Sequence, residues 1–287
     1  MSETSALQTF SAYEYRSGRW QATQVAAPAE RSLTLYLNGQ EWAVLLASPH
    51  DPLSLALGYL ANEGVLTHPD QVTGARVCDD GAGVDVRLNG PVPSRPRVRT
   101  TGCGRGLTRA RPEAASLAPL DAPRAVTPAA LFALLRALRE QAVLYAQAGG
   151  VHAAGLGTPD GALLWAAEDV GRHNAVDRVR GLAWRAGQRT SGLVLVTTGR
   201  ISAEMLVKAV RMGCGVVASR TAATAHAVAL ARQWQVTLVA YARSRRMRVY
   251  AHPWRLALPT LENADATTRP APAPTAPRDG QPPSSLR

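Results

Sequence analysis

The stretch Leu193–Ala218, LVLVTTGRISAEMLVKAVRMGCGVVA, decides the fold. Leu193 to Thr197 and Val216 to Ala218 are short apolar runs bounded by turn residues, which predicts buried strands. Between them a polar turn opens a segment of helical period, Ala203 to Met212. The same rhythm continues outward. Strands are predicted at Ala162 to Ala166, Val236 to Tyr241 and Arg248 to Ala251, and helices at Ala175 to Arg185 and Ala222 to Gln233. Strands spaced by such helices imply a central sheet covered by helices, an α/β layer.

Upstream the pattern changes. Leu33, Leu35 and Leu37 alternate with polar residues, Asn38-Gly39 follows, and Trp42, Val44 and Leu46 alternate again. Two such runs joined by Asn-Gly predict a hairpin with a primed turn. Asp51-Pro52 then predicts a helix N-cap and first turn, with the helix running to near Gly64. Short alternating runs cover Val72 to Val77 and Val84 to Leu88. A long helix is predicted after Thr127-Pro128, its apolar stripe reaching Leu144. Residues 1 to 28 carry little pattern, and Leu258 to Arg287 is Pro-, Ala- and Thr-rich, which reads as a disordered tail.

With 287 residues, 46% of them hydrophobic, the chain can bury a large core without disulfides. Its 3 cysteines are odd in number and widely spaced, which points to a reducing compartment. No stretch reads as a signal peptide or a transmembrane span, so a cytoplasmic protein is expected. The net charge is +11, and His152 to Arg255 alone holds 15 basic and 5 acidic residues. Nearly all of that basic charge is arginine, with Lys208 the one lysine, which suits an anionic, phosphate-bearing ligand. Aromatic residues are only 5% of the chain and do not interleave with the basic ones, which argues against a nucleic-acid binder.

Five places could carry chemistry. Cys103 lies in TTGCGRGL, flanked by glycines and by Arg99, Arg105 and Arg109, a setting that favours thiolate over thiol. An incidental loop cysteine is the bland reading. Cys214 reads as a core residue, and Cys78 ends a strand. His173, in EDVGRHN, sits in a polar turn between strand and helix, where α/β sheets bind ligands. Helix capping by Asn174 with buried ion pairs is the structural alternative there. Arg200 and Ser202 occupy one strand-to-helix turn, and Ser219 and Arg220 another, both of a form that binds phosphate. The basic run Arg243-Ser244-Arg245-Arg246 follows the last long strand. GGVHAAG is similar to the His-Ala-Glu of zinc deaminases. Ala154 stands where the catalytic glutamate would be and no Cys-x-x-Cys follows, so neither zinc nor deamination is expected.

These motifs together resemble the formate dehydrogenase accessory sulfurtransferases, the FdhD family, over roughly Glu30 to Tyr250. They include SPHDPLSLALGYLANEG, the glycine-flanked Cys103, GGVHAAGL, EDVGRHNAVD, GRISAEM and SRTAATA. The resemblance implies a zinc-free, cytidine-deaminase-like three-layer α/β domain at 127–257. It implies a smaller N-terminal α+β domain at 30–126 carrying the cysteine loop, after an extension at 1–29 and before a tail at 258–287. It implies a sulfur carrier, which accepts persulfide sulfur from a cysteine desulfurase on Cys103. The sulfur then passes to the guanine-dinucleotide molybdenum cofactor destined for formate dehydrogenase, with the cofactor bound as substrate. The cofactor stretch carries over to Tyr241, Ala242, Arg243, Ser244, Arg245 and Arg246, beside His173, Arg200, Ser202, Ser219 and Arg220. A homodimer is compatible with this reading. The chain departs from the family's Cys-Gly-x-Cys-Gly loop at one position, where Gly106 replaces the second cysteine. A cofactor-sheltering chaperone that moves no sulfur is the competing reading.

Overall fold

The computed structural model describes residues 5–78, 81–92, 98–99, 107–108, 117, 120, 125–243 and 245–257. The expected disordered tail and the cysteine loop at 100–106 lie outside these residues. Residues 1–257 cluster as one compact unit.

The N-terminal segment corrects the expectation of little pattern. Strands β1 (Leu7–Arg16) and β2 (Arg19–Pro28) form an antiparallel ribbon, closed by Ser17 and Gly18 at φ 50° and 85°. The alternation was hard to read because most residues on both faces are exposed, so neither face needs a continuous apolar row. The Ser-Gly turn was the available signal.

Strands β3 (Arg31–Leu37) and β4 (Gln40–Ala47) form the expected hairpin, with Asn38 and Gly39 at φ 50° and 79°. Asn38 also accepts from the Leu88 amide at 2.7 Å and donates to the Gly90 carbonyl at 3.1 Å. These bonds tie the turn to β6 (Gly83–Leu88), which lies parallel to β3 and pairs with β5 (Val72–Val77), giving the order β4-β3-β6-β5. Helix α1 (Pro52–Asn62) begins as expected, with the Asp51 carboxylate accepting from the Ser54 amide. Leu55, Leu57 and Leu60 join Leu33, Leu35 and Leu37 in one buried cluster. A two-residue pair, β7 (Val98–Arg99) with β8 (Leu107–Thr108), flanks the Cys103 segment in sequence.

The expected long helix is two. Helix α2 (Pro128–Gln141) starts on a Thr127 cap and ends at Ala142, and α3 (Val143–Ala148) starts afresh. The break has a distant cause: both Glu168 oxygens accept from the α3 amides of Leu144 and Tyr145, at 2.8 and 2.9 Å. A carboxylate capping those amides replaces the bonds a continuous helix would make.

The larger sheet has six strands: β9 (His152–Gly157), β10 (Leu163–Asp169), β11 (Val194–Thr197), β12 (Val216–Ser219), β13 (Thr237–Arg243) and β14 (Arg246–Ala251). Their order is β10-β9-β11-β12-β13-β14, with the three central strands β11, β12 and β13 parallel. Leu195, Val217 and Leu238 point into one cluster with helices α4 (Arg172–Arg185), α5 (Ala203–Arg211) and α6 (Ala225–Gln233). Val194, Val196 and Val239 point the other way, onto α2. The expected α/β layer is present, three layers thick. Strand β9 was missed because HAAGLG combines small residues with weak strand preference. No helix among the described residues is long and apolar enough to cross a membrane.

Helices α1 and α4 join the two sheets at a very close crossing. A Cβ on Gly58 would lie 1.7 Å from the Asp177 carbonyl oxygen, and one on Gly181 would lie 1.8 Å from that of Ser54. Only glycine lets two helix backbones approach so closely.

Candidate functional site

The parallel order of β11, β12 and β13 places the ends of three strands side by side, and backbone bonds lock the turns that follow them. Thr221 accepts from the Tyr241 amide at 2.8 Å through its carbonyl, and its hydroxyl donates to the Thr198 carbonyl at 3.2 Å. The Arg220 amide donates to the Thr197 carbonyl at 3.1 Å. Buried Ser219 donates its hydroxyl to the Gly199 carbonyl at 2.7 Å and accepts from the Thr221 amide at 3.0 Å. Gly199 in turn lies against α4, since a Cβ there would meet the Cβ of Arg172 at 2.7 Å. The first turn of α4 is thereby pressed onto the turn that holds Arg200 and Ser202. Ligands of open α/β sheets bind outside such carboxyl ends.

His173 lies in that first turn. Its Nε2 is 3.4 Å from the Ser202 hydroxyl and 3.3 Å from Oε2 of Glu204. Burial, and then the positive charges of Lys208, Arg172, His152 and Arg200, push the imidazole down to about 3. The ring is therefore neutral at physiological pH. In a neutral imidazole one ring nitrogen donates and the other accepts. Ser202 also caps α5, accepting from the Met205 amide at 3.4 Å. His152, at the start of β9, is likewise lowered by burial and by Arg172.

Further along the rim, Tyr241 has a left-handed backbone at φ 53°, and the Arg248 guanidinium lies 4.8 Å from its ring centroid. Arg243 and Arg246 are register partners across the β13–β14 hairpin, both exposed, with exposed Arg245 in the turn at φ 63°. Ala242 points inward and is 1% exposed, part of the core on the α2 side. Among the described residues, Arg200, Arg220, Arg243, Arg245 and Arg246 have no acidic partner within salt-bridge distance. Such a row can bind a polyanion through charge-assisted hydrogen bonds.

The structure thus brings together His173, Arg200, Ser202, Ser219, Arg220 and Tyr241. It places Arg243, Arg245 and Arg246 on the neighbouring hairpin. Cys103 and Ser244 lie outside the described residues. Sequence reasoning missed Arg172, Glu204, Thr221 and His152 as neighbours of this cluster. The signals for Glu204, Thr221 and Arg172 were their places beside Ser202, Arg220 and His173; His152 depends on strand order, which local sequence does not encode.

Most of EDVGRHNAVD serves a different purpose. Asn174 is not the α4 cap: Gly171 holds that position, and the Asn174 amide donates to Asp169 Oδ1 at 3.0 Å and the Leu46 carbonyl at 2.8 Å. Arg178 is buried, its Nε on Asp169 at 2.7 Å and its other nitrogens on the carbonyls of Ser48, His50 and Asp51. Lys208 Nζ lies 2.6 and 2.7 Å from the two Asp177 oxygens, one of which also accepts from Asn62 at 2.8 Å. Burial pushes the Asp177 carboxyl up, against the pull of Lys208. Beside this seam a cavity of about 360 Å³ opens between His50, Glu168, Arg178 and the α2–α3 junction. Cys214 is buried as expected, its thiol pushed up to about 12 by burial, and half-buried Cys78 follows β5. Among the described residues no cluster of His, Cys, Asp and Glu could hold a metal.

The family profile described as FdhD/NarQ matches residues 28–257. A protein of Halalkalibacterium halodurans named sulfur carrier protein FdhD is 32% identical over 241 residues, 81% of this chain and 89% of the relative. A Staphylococcus aureus protein of the same name is 30% identical over 249 residues, 84% of this chain and 93% of its own. A crystal structure described as a formate dehydrogenase accessory protein, from Desulfotalea psychrophila, superposes with a TM-score of 0.72 at 26% identity. That match covers 88% of this chain and all of the other.

Proposed function

The chain belongs to the FdhD/NarQ family, and we propose that it is a sulfur carrier acting in formate dehydrogenase maturation. In this reading the Cys103 thiolate attacks the outer sulfur of a cysteine desulfurase persulfide. A new S–S bond forms on Cys103 and the desulfurase cysteine leaves as thiolate. The acceptor is the molybdenum cofactor in its guanine-dinucleotide form, held as substrate at the strand ends. The observation that carries the reading is the row of arginine-bearing turns there, on a family fold whose named relatives are sulfur carriers. Arg200 and Arg220 would meet phosphate at the turns and Arg243, Arg245 and Arg246 at the hairpin, while neutral His173 offers a fixed donor and acceptor. We read the six-stranded domain as deaminase-like without zinc, and place the reaction in the cytoplasm, where a free thiol stays reduced.

Incubation with a cysteine desulfurase and cysteine is expected to add one sulfur atom to the peptide containing Cys103, read by mass spectrometry. Cys103→Ala is expected to lose both that adduct and client formate dehydrogenase activity in cells. The chaperone reading is favoured by one observation, Gly106 in place of the second cysteine; it predicts client activity that survives Cys103→Ala. Gly106 also closes the local route from persulfide to disulfide, so Gly106→Cys is expected to create a disulfide with Cys103 and shorten the persulfide's lifetime.

A further inference from the structure

We infer that Trp254 and the basic surface around it are the docking point for the protein that donates sulfur to this chain. This rests on the sulfur-carrier reading above and adds to it the surface that the donor touches.

Trp254 lies in a short turn, Pro253–Arg255, that follows β14. It is 54% exposed, and among the described residues no other large apolar side chain after Leu164 is exposed. The ring is nonetheless fixed. The Arg255 guanidinium lies 3.9 Å from its centroid, and Arg255 is itself buried, bound to the carbonyls of Gln235 and Leu120. The indole N–H donates to His252 Nδ1 at 3.3 Å. His252 Nε2 donates to the Arg232 carbonyl at 2.9 Å, and the His252 carbonyl accepts from the Thr237 hydroxyl at 2.6 Å. An indole only donates and a carbonyl only accepts, so a neutral His252 satisfies both ring bonds. With one face on a buried guanidinium and its N–H edge pinned, the indole presents its remaining face to solvent. It has little freedom left to lose when a partner covers it, and Trp is enriched among interface anchors.

Position points to the sulfur donor. The registers Val216↔Thr237 and Leu238↔Ala251 put this turn at the amino ends of the central strands, away from the rim. The chain downstream of Cys103 is tied to the body at the same place. The Leu120 amide donates to the Trp234 carbonyl at 3.1 Å, and the Leu120 carbonyl is held by Arg255, the residue against the Trp254 ring. A donor seated on Trp254 therefore meets the body where the cysteine-bearing segment rejoins it.

Charge sets the donor's chemistry. From Met205 to Ala257 the chain has Lys208 and eight arginines, and no acidic residue. Arg232, whose carbonyl holds His252, is exposed and has no acidic partner within salt-bridge distance among the described residues. Such a surface fits an acidic protein with an apolar pocket for the indole, and it repels a second copy of this basic chain. A single-stranded nucleic acid stacks successive bases on successive rings, whereas Trp254 is one ring.

The test is the initial rate at which a cysteine desulfurase with cysteine loads sulfur onto Cys103. It is read by mass spectrometry at varied concentrations of the full chain, which gives KM and kcat. Trp254→Ala should raise KM about tenfold or more and leave kcat unchanged. Tyr145→Ala removes a ring that is also 54% exposed, on α3, and should change neither. Should Trp254→Ala misfold by circular dichroism, Arg232→Glu reverses one exposed charge and should raise KM severalfold, with a weaker dependence on salt. A wild-type KM in the folded variants overturns the inference alone, whether Trp254→Ala then loses affinity for a second copy or for a nucleic acid instead. So does an equal rise in KM with Tyr145→Ala. A wild type that takes up no sulfur overturns the sulfur-carrier reading itself, and the inference with it.

Discussion

The seam between the two sheets and the rim at the strand ends are both rich in charge, yet they treat it in opposite ways. At the seam, Asp169 with Arg178 and Asp177 with Lys208 are buried, matched and hydrogen-bonded to each other. At the rim, the arginines of the turns and the hairpin stand without acidic partners among the described residues. One short motif feeds both regions: Asp169, Asp177 and Arg178 face inward, whereas His173 faces the rim. A charged motif is therefore no single functional unit. Its members divide according to which side of α4 they occupy.

The sharpest way to break this contrast is to remove a seam charge. Arg178→Ala leaves Asp169 buried without its partner, which costs about 3–5 kcal/mol. A large fall in the urea midpoint is expected, with little soluble protein; an unchanged midpoint would mean the seam is not what joins the sheets. Next comes the helix crossing. Gly181→Ala drives a methyl into the Ser54 carbonyl and should cost about 1–3 kcal/mol or more as α1 and α4 separate.

At the rim the expectation reverses. Arg200→Ala with Arg220→Ala should move stability by less than about 0.5 kcal/mol per site. It should weaken guanine diphosphate binding at least about tenfold by calorimetry. A stability loss with unaltered affinity would make the rim a second seam.

The last contrast is a pH dependence, silent at neutral pH. His173 titrates at about 3 when folded and near 6.5 when unfolded, so the unfolded chain binds more protons between those values. Stability due to this group is complete above pH 6.5 and is lost as pH falls toward 3. His173→Gln should reduce the slope of stability against pH in that window by up to one proton, leaving neutral pH unaffected. Chemical denaturation across the window checks it.

What was legible in the sequence was what local chemistry decides. Asn38-Gly39 fixes its own turn and Asp51 caps its own helix, so both were readable. The α2–α3 break was not, because Glu168 acts on Leu144 from a distant strand. The site shows the same division. Arg200, Ser202, Ser219 and Arg220 announced themselves as strand-to-helix turns. Glu204 follows Ser202 in the same turn, whereas Arg172 joins them only through the Gly199 contact. The β1–β2 ribbon escaped because most residues on both its faces are exposed, so it lacks the buried apolar row on which periodicity arguments depend.

Lys208 is the only lysine of the chain, and it is 6% exposed, its amine held by Asp177 beneath the rim. The folded surface consequently offers amine-reactive reagents no lysine among the described residues. Acylating dyes, lysine-directed cross-linkers and amine-coupled sensor chips are left with the chain's own α-amine. Any acylation found at Lys208 then records that the seam has opened, which makes this one side chain a built-in counter of unfolding events.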